Sequence, residues 1–539
     1  MFKILSDGIC VLIKNWDIIL TILTLILSGP SLIFLLSSKV KKENLLRYTP
    51  LFFFFILSLL LRLAFIRGLF SPPYFDSVEH FRIIKLMIAG LKSSTFSDVL
   101  LELLQNYYHL GFHFLASLLA FGLRAGPTEV VLIFGQIALT MLPVPIYFLV
   151  QRETDSQIAA FFSAILSGFG WYMPGFAINW GKYPALVGIL AFEIVLCTAY
   201  IFSQKKIHPN KQSFILFLII GIFTATLIHS RVAVLFFIAF SSYIFAKKIG
   251  DFPKEIHHQI LRIFLSLIFI FGFLVSKEPL LRLALEPYFI NGISVTLTIF
   301  FLSYFAFKKH PLGFYFNAIF IFLLFLSLFI PIALPGFGKQ SLLDRPFVEM
   351  ILYFPLSILA GLGLDGALKS LKESTDIPNI ARTASILIIG ITGLYTLTHY
   401  SFYQSTCCSL LEYDDTVAFE WMDKNLPPDA HVLVAGNHLN VHPSTTGDLV
   451  GSDAGIWIPQ LTGRKITMLS YDLEFLSAEK TSILCQRQID YVYVGNKMQS
   501  FNRIKFIERK EIYKEVLSLP NIQLYQLQGC SPTKLPTIS

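Results

Sequence analysis

Apolar runs recur along most of this chain at a length that leaves few folds open. About twelve stretches, at residues 18–36, 51–66, 130–150, 158–171, 184–202, 214–229, 232–246, 260–275, 293–307, 314–332, 348–368 and 384–400, are separated by short polar loops. A helix needs about 20 apolar residues to cross the hydrocarbon core of a bilayer, and most of these runs approach that length. Apolar residues make up 54% of the chain and charged residues only 14%, with 53 Phe. A soluble domain carries far more charge. The expected class is a polytopic α-helical membrane protein of about twelve transmembrane helices. A change of composition near Leu410 adds a small C-terminal extracytoplasmic α/β domain.

The formal charge of +8 does not point to nucleic acid, because the Lys and Arg residues sit in short loops between apolar runs. They read as topology signals: Lys39, Lys41, Lys42 and Arg47; Lys205, Lys206 and Lys211; Lys247, Lys248 and Lys254; Lys308 and Lys309; Lys369, Lys372 and Arg382. These loops share the cytoplasmic side only if residues 105–123 do not cross. That stretch, with Asn106, Tyr107, Tyr108, His109 and His113, suits an interfacial or re-entrant helix on the outer leaflet. Residues 71–124, 174–183, 230–231, 277–291, 335–346 and everything beyond Ser401 then face outward. Residues 1–16 have no long apolar core or small-residue cleavage pattern, so no leader is expected there. The six Cys show no metal spacing, and Cys407 and Cys408 are adjacent, so inert thiols are expected.

The first outer loop concentrates ionisable residues. A Pro-Pro pair at Pro72 and Pro73 stops the run at 51–66, and Tyr74-Phe75-Asp76-Ser77-Val78-Glu79-His80 follows. On a helix beginning near Asp76, residues three and four apart share a face, so Asp76, Glu79 and His80 look the same way. The same spacing also makes a capping box of Asp76 and Glu79. Within the spans, Arg62 and Glu193 are costly in lipid and are expected to pair or to line a cavity. His229 reads as a hydrogen-bonded interfacial histidine.

In the tail, residues 412–425 read as an amphipathic helix carrying Val417, Phe419, Trp421 and Met422, stopped by Pro427-Pro428. Residues 431–436 and 490–495 read as buried parallel-type strands ending in Gly, and residues 522–526 as a further strand. Asn437, His438, His442, Asp448 and Asp453 fall in a polar loop whose spacing supports no metal site.

The order of these parts resembles the GT-C class of membrane glycosyltransferases, which includes protein O-mannosyltransferases, aminoarabinose transferases and oligosaccharyltransferase catalytic subunits. The resemblance rests on residues 73–80, on Tyr108-His109-Leu110-Gly111-Phe112-His113, on Asn179-Trp180-Gly181-Lys182-Tyr183-Pro184, and on residues 421–430 at the start of the tail. It implies a transmembrane domain over residues 1–405 with a catalytic outer loop at 67–128, followed by the extracytoplasmic domain at 406–539. It also implies an inverting glycosyltransferase of the cell (plasma) membrane, with a polyprenyl-phosphate sugar donor, an extracytoplasmic acceptor and membrane lipid as partners, and no nucleic acid.

By this resemblance Asp76 is the general base, with Glu79 and His80 beside it. If a divalent cation such as Mg2+ or Mn2+ is used, the same three residues would hold it. Arg345, Lys182, Lys339 and Arg231 are the candidates for the donor phosphate, and Tyr74, His109, His113, Asn179 and Tyr183 for substrate contact. Three departures stand beside the likeness, the first being an extra apolar run at 18–36 ahead of the usual first helix, which would put the N-terminus outside unless that run or residues 1–16 are interfacial. The first loop lacks Asp-X-Asp, and Gly451-Ser452-Asp453-Ala454-Gly455-Ile456-Trp457 replaces the Trp-Trp-Asp-Tyr-Gly motif of the oligosaccharyltransferase subunits, which speaks against transfer to Asn-X-Ser/Thr sequons. The rival classes are a polyprenyl-lipid or polysaccharide transporter or flippase, which would carry inverted repeats with matched broken helices, and a noncatalytic membrane scaffold. The sequence shows no such repeat.

Overall fold

The computed structural model describes residues 42–93, 95–106, 109–203, 211–253, 256, 259, 266, 270–290, 292–334, 338–374, 380–399, 407–439, 447–475, 478–528 and 530. The expected run at 18–36, most of that at 260–275, and Tyr107, Tyr108 and His442 lie outside the described residues. The chain divides into two compact units, one of Met1–Arg67, Leu86–Ile178 and Lys182–Tyr403, the other of Gly68–Lys85, Asn179–Gly181 and Gln404–Ser539.

The first unit is helical. Its helices, with one that bridges the division, are α1 Lys42–Ile66, α2 Asp76–Lys92, α3 Phe96–Asn106, α4 Gly111–Leu123, α5 Pro127–Met141, α6 Pro143–Thr154, α7 Gln157–Phe169, α8 Tyr183–Ser203, α9 Lys211–Ile228, α10 Val232–Gly250, α11 Pro279–Phe289, α12 Ile293–Lys309 and α13 Pro311–Ser327. A short hairpin follows, β1 Pro331–Leu334 against β2 Gly338–Ser341, then α14 Arg345–Ile351, α15 Tyr353–Ser374 and α16 Ile380–His399.

The chain is a multi-pass membrane protein. Among the described residues, five stretches are helical, long and apolar enough to cross a bilayer: Thr49–Ile66, Pro127–Thr154, Tyr183–Ser203, Val232–Gly250 and Arg345–Ser374. The pair Pro279–Phe289 and Ile293–Lys309 is bent by 96°. Pro143, at the first turn of α6, explains the break inside Pro127–Thr154, since proline supplies no N–H to the preceding turn. The expected non-crossing stretch at 105–123 contains the short helix α4.

Arg62 and Glu193 engage different partners. Arg62 donates to the Gly168 carbonyl and stacks over Phe169 at 4.9 Å. Glu193 accepts from the Tyr353 hydroxyl at 2.6 Å. Neither pairs with the other, and both hold helices together.

The second unit is built on α17 Tyr413–Asn425, β3 His431–His438, β4 Leu449–Gly451, α18 Ile458–Thr462, β5 Lys465–Ser470, α19 Ala478–Gln486, β6 Tyr491–Val494, α20 Ile504–Ile507, β7 Tyr513–Ser518 and β8 Gln523–Leu527. The sheet runs β4-β3-β6-β8-β7, and β5 also pairs with β3. β3 is parallel to β5 and β6, and β8 runs antiparallel between β6 and β7.

Side chains alternate across this sheet because the strand period is two. Val432 and Val434 join Phe419, Met422, Trp457 and Tyr493 on one face. Leu433 and Ala435 join Phe475, Val492, Phe506 and Tyr525 on the other. A capping box of Glu412 and Asp415 starts α17, and the buried Arg464 ties its end by donating to the Asp423 carboxylate and to the Asp423 and Leu426 carbonyls.

The cysteines correct the expectation of inert thiols. Cys485 and Cys530, with Cα atoms 5.4 Å apart, form a disulfide, because the β6–β8 pairing returns the chain beside the end of α19. Cys407 and its neighbour Cys408 are bridged too, and Cys197 is a free, buried thiol.

Candidate functional site

Two clusters gather most of the residues singled out from the sequence, one in each unit. In the second unit the segment Gly68–Lys85 lies with the C-terminal sheet. Phe81, only 8% exposed, belongs to the same apolar core as Trp457 and meets its ring edge-on at 5.5 Å. Phe75 and Val78 pack there as well. The Tyr74 N–H donates to the Cys408 carbonyl at 2.8 Å, and Lys85 donates to the Gln460 carbonyl at 2.8 Å. The segment from Tyr74 through the first turns of α2 is therefore fixed by the tail.

This anchoring sets Asp76 at the first residue of α2, half-buried, with Glu79 in the same helical turn. The positive end of a helix favours carboxylates there. Glu79 is engaged by Arg82, three residues on, through two bonds of 2.8 and 2.7 Å. His80 is buried and its Nε2 meets the Gly181 carbonyl at 3.1 Å. Gly181 has φ +64°, and a Cβ there would fall 2.6 Å from the Ser77 Oγ. Ser77 in turn donates to the Pro73 carbonyl. Asn179, 3% exposed, belongs to this same unit. Tyr74 adopts φ 68°, its ring 4.4 Å from that of Phe75.

The residues proposed for a divalent cation do not form a ligand set as they stand. Both oxygens of Glu79 face the Arg82 guanidinium, and the Nε2 of His80 is spent on a backbone carbonyl. Among the described residues no group of three His, Cys, Asp or Glu side chains is arranged to hold a metal ion.

The cluster in the first unit centres on the tip between α9 and α10 and on the start of α14. Arg231 pairs with Asp344 and donates to Gln340 Oε1 at 3.1 Å. Asp344 also caps α14 by accepting from the Phe347 N–H at 3.0 Å. Arg345 pairs with Glu349 one turn further along at 3.2 Å. Beside them the rings of His109, His229 and Phe347 lie in series, with centroids 4.4 and 5.0 Å apart. Arg231, Arg345 and His109, which sequence reasoning chose separately, thus share one neighbourhood.

The other candidates are placed differently. Tyr183 is fully buried, and its ring occupies the space that a Cβ on Gly135 would need. His113 is fully buried on α4. Lys182 donates its backbone N–H to the Ala177 carbonyl at 3.1 Å, and Lys339 sits on β2 opposite Ala333. Asp344, Gln340, Glu349, Phe347, Ser77 and Gly181 were not picked out by sequence reasoning as members of the site. Ser77 and Gly181, inside motifs already noted, and Asp344, a capping residue type beside Arg345-Pro346, carried a local signal.

Electrostatics in the second unit centre on two buried acids away from Asp76. Burial pushes the Asp453 carboxyl up to about 7, against opposing hydrogen bonds that include the Gly455 N–H. Burial likewise pushes Asp415 up to about 6, with a bond from the Tyr493 hydroxyl opposing it.

No family model matches the sequence, and no curated protein matches it. Among solved structures, the chain is similar to an oligosaccharyltransferase of Archaeoglobus fulgidus, solved as a complex with Zn and sulfate, at a TM-score of 0.51 and 11% identity over 88% of this chain and 72% of that one. A likeness to the arabinofuranosyltransferase AftD from Mycobacteria has a TM-score of 0.44 and 12% identity, over 89% of this chain and 40% of that one. This chain therefore spans less than half the length of AftD. The resemblance to the GT-C class read from the sequence holds at the level of the fold.

Proposed function

We propose that this chain is an inverting glycosyltransferase that moves a sugar from a polyprenyl-phosphate-linked donor to an acceptor outside the cytoplasm, with Asp76 as general base. The observation that carries the reading is the half-buried Asp76 carboxylate at the start of an anchored helix, in a chain that shares its fold with an oligosaccharyltransferase. About twelve spans with the C-terminal unit outside fit this reading. The Cys485–Cys530 disulfide supports it, because such bonds persist in oxidising compartments.

In this reading Asp76 takes the proton from an acceptor hydroxyl or amine held within about 3 Å. The freed lone pair attacks the anomeric carbon opposite the phosphate, and the bond to the phosphate oxygen breaks with its electron pair. Negative charge then grows on the phosphate, and cations lower that barrier. Arg345 and Arg231 are the first candidates, because a guanidinium offers parallel N–H donors that remain after one carboxylate is bound. Lys182 and Lys339 are the second. Glu79 and His80 act as positioning residues, through Arg82 and the Gly181 carbonyl. His109 contributes to the ring series beside the arginines, and Tyr74 and Asn179 shape the acceptor side.

The test is transfer from a panel of polyprenyl-phosphate and polyprenyl-diphosphate sugars to cell-envelope acceptors, with wild type and Asp76→Asn in parallel. Asp76→Asn is expected to lose about a hundredfold or more in rate with donor binding intact. Equal rates for the two proteins would remove Asp76 from the role of base. A donor that binds without transfer to any acceptor by either protein would favour the transporter or scaffold reading.

A further inference from the structure

A cavity of about 490 Å³ opens between α6, α8, α9, α10, α13 and α15, within the first unit. It falls in the size range of ligand pockets. Its walls are apolar side chains such as Leu196, Phe214, Phe236, Phe240, Phe316 and Leu362. It is separate from the arginine cluster. None of Arg231, Asp344, Arg345, Glu349, His109 or His229 lines it, and its polar end, near Tyr243, lies about 18 Å along α10 from Arg231 at the usual rise per residue.

The few polar groups in the cavity gather where α6 and α8 end and α13 begins. Glu153, Tyr200 and Asn317 line it there. The Tyr200 hydroxyl donates to Glu153, so this pair offers acceptor oxygens. Asn317 is fully buried. Its amide N–H donates to the Gly313 carbonyl at 2.8 Å, and its Oδ1 has no hydrogen-bond partner among the described residues.

Among the described residues, Lys309, Lys369 and His310 near this end of the cavity are already engaged with carboxylates. Lys309 is paired with Glu373 at 2.7 Å and Lys369 with Asp365 at 2.6 Å. His310 meets Asp365 at 2.7 Å and stands 3.9 Å from Glu153. An apolar chamber that ends in a carboxylate and an unmatched amide oxygen complements an apolar chain carrying a charged N–H donor.

We propose that this cavity binds one membrane lipid with a primary-ammonium headgroup, its chain among the aromatic walls and its ammonium on Glu153 and the Asn317 Oδ1. The site is independent of the glycosyl-transfer reading. The full chain, in a defined detergent, would be titrated by native mass spectrometry with phosphatidylethanolamine, and with phosphatidylcholine and phosphatidylglycerol of identical chains. Wild type is expected to bind the ethanolamine lipid about tenfold or more tightly than the choline lipid, whose headgroup has no N–H. Asn317→Leu is expected to narrow that preference to about threefold or less while chain binding persists. Ala199→Trp, which fills the cavity, is expected to abolish retention of all three lipids. Equal wild-type affinity for the ethanolamine and choline lipids, a preference for the anionic glycerol lipid, or undiminished retention in a folded Ala199→Trp protein would each overturn the proposal. The wild-type comparison needs no substitution, so it stands even if a variant misfolds.

Discussion

Asp453 is an acid that folding makes weaker. It is wholly buried, and its carboxyl titrates at about 7 in the folded chain against an ordinary 3.8. The native state therefore holds this proton more tightly than the unfolded chain does. The resulting stability is complete below about pH 4 and is lost as pH rises through about 7, and Asp415, raised to about 6, adds to it in the same direction. The C-terminal unit is expected to resist urea better at pH 5 than at pH 8, by a few kcal/mol at most. Asp453→Asn, which keeps the shape and removes the charge, is expected to flatten most of that slope. Urea midpoints of the full chain across this range, followed by near-ultraviolet circular dichroism, would show it. A wild-type midpoint that rises with pH would contradict the assignment.

At the scale of elements, α2 matters most because its first turns complete the core of another part of the sequence. Phe81 is nearly buried against Trp457, so Phe81→Ala is expected to destabilise the second unit by about 3–5 kcal/mol, the usual cost of removing a core aromatic. A thermal melt of the variant would measure this loss, and one that matched wild type would rule out the packing role. The sequence carried the start of α2 through Pro72-Pro73 and the run of polar residues after it. It also carried β3, whose run of Val432-Leu433-Val434-Ala435 is buried on both faces. It did not carry the partner of Phe81, because nothing local links residue 81 to residue 457. Strands β5 and β7 escaped for a different reason: Lys465 is exposed, as are Lys514 and Glu515, so their apolar periodicity is weak. The arginine cluster was half legible. The cations stood out, but Asp344 was legible only as a local partner of Arg345 rather than of the distant Arg231, and nothing local marked Glu349.

For the whole molecule, the disulfides tie the fold to its surroundings. Cys485 and Cys530 are separated by 45 residues, and closing a loop of that length is worth about 4 kcal/mol on chain-entropy grounds. Cys485→Ser is expected to lower the stability of the second unit by up to that amount, and reductant should destabilise wild type more than the variant, which keeps only the Cys407–Cys408 bridge. Melting both proteins with and without dithiothreitol would test this; an unchanged wild-type midpoint would count against the bridge.

The second unit is assembled from Gly68–Lys85, Asn179–Gly181 and Gln404–Ser539, and this has a consequence for the order in which the protein is made. Residue 85 leaves the ribosome roughly 320 residues before the last of these segments begins. At about 5–20 residues per second, that is a wait of roughly 15 to 65 seconds. During that interval Phe75, Val78 and Phe81 have no sheet to cover them. The segment that bears Asp76 therefore reaches its final environment only when synthesis is nearly finished, and a chain stopped short of the tail would carry the acid without the core that fixes it.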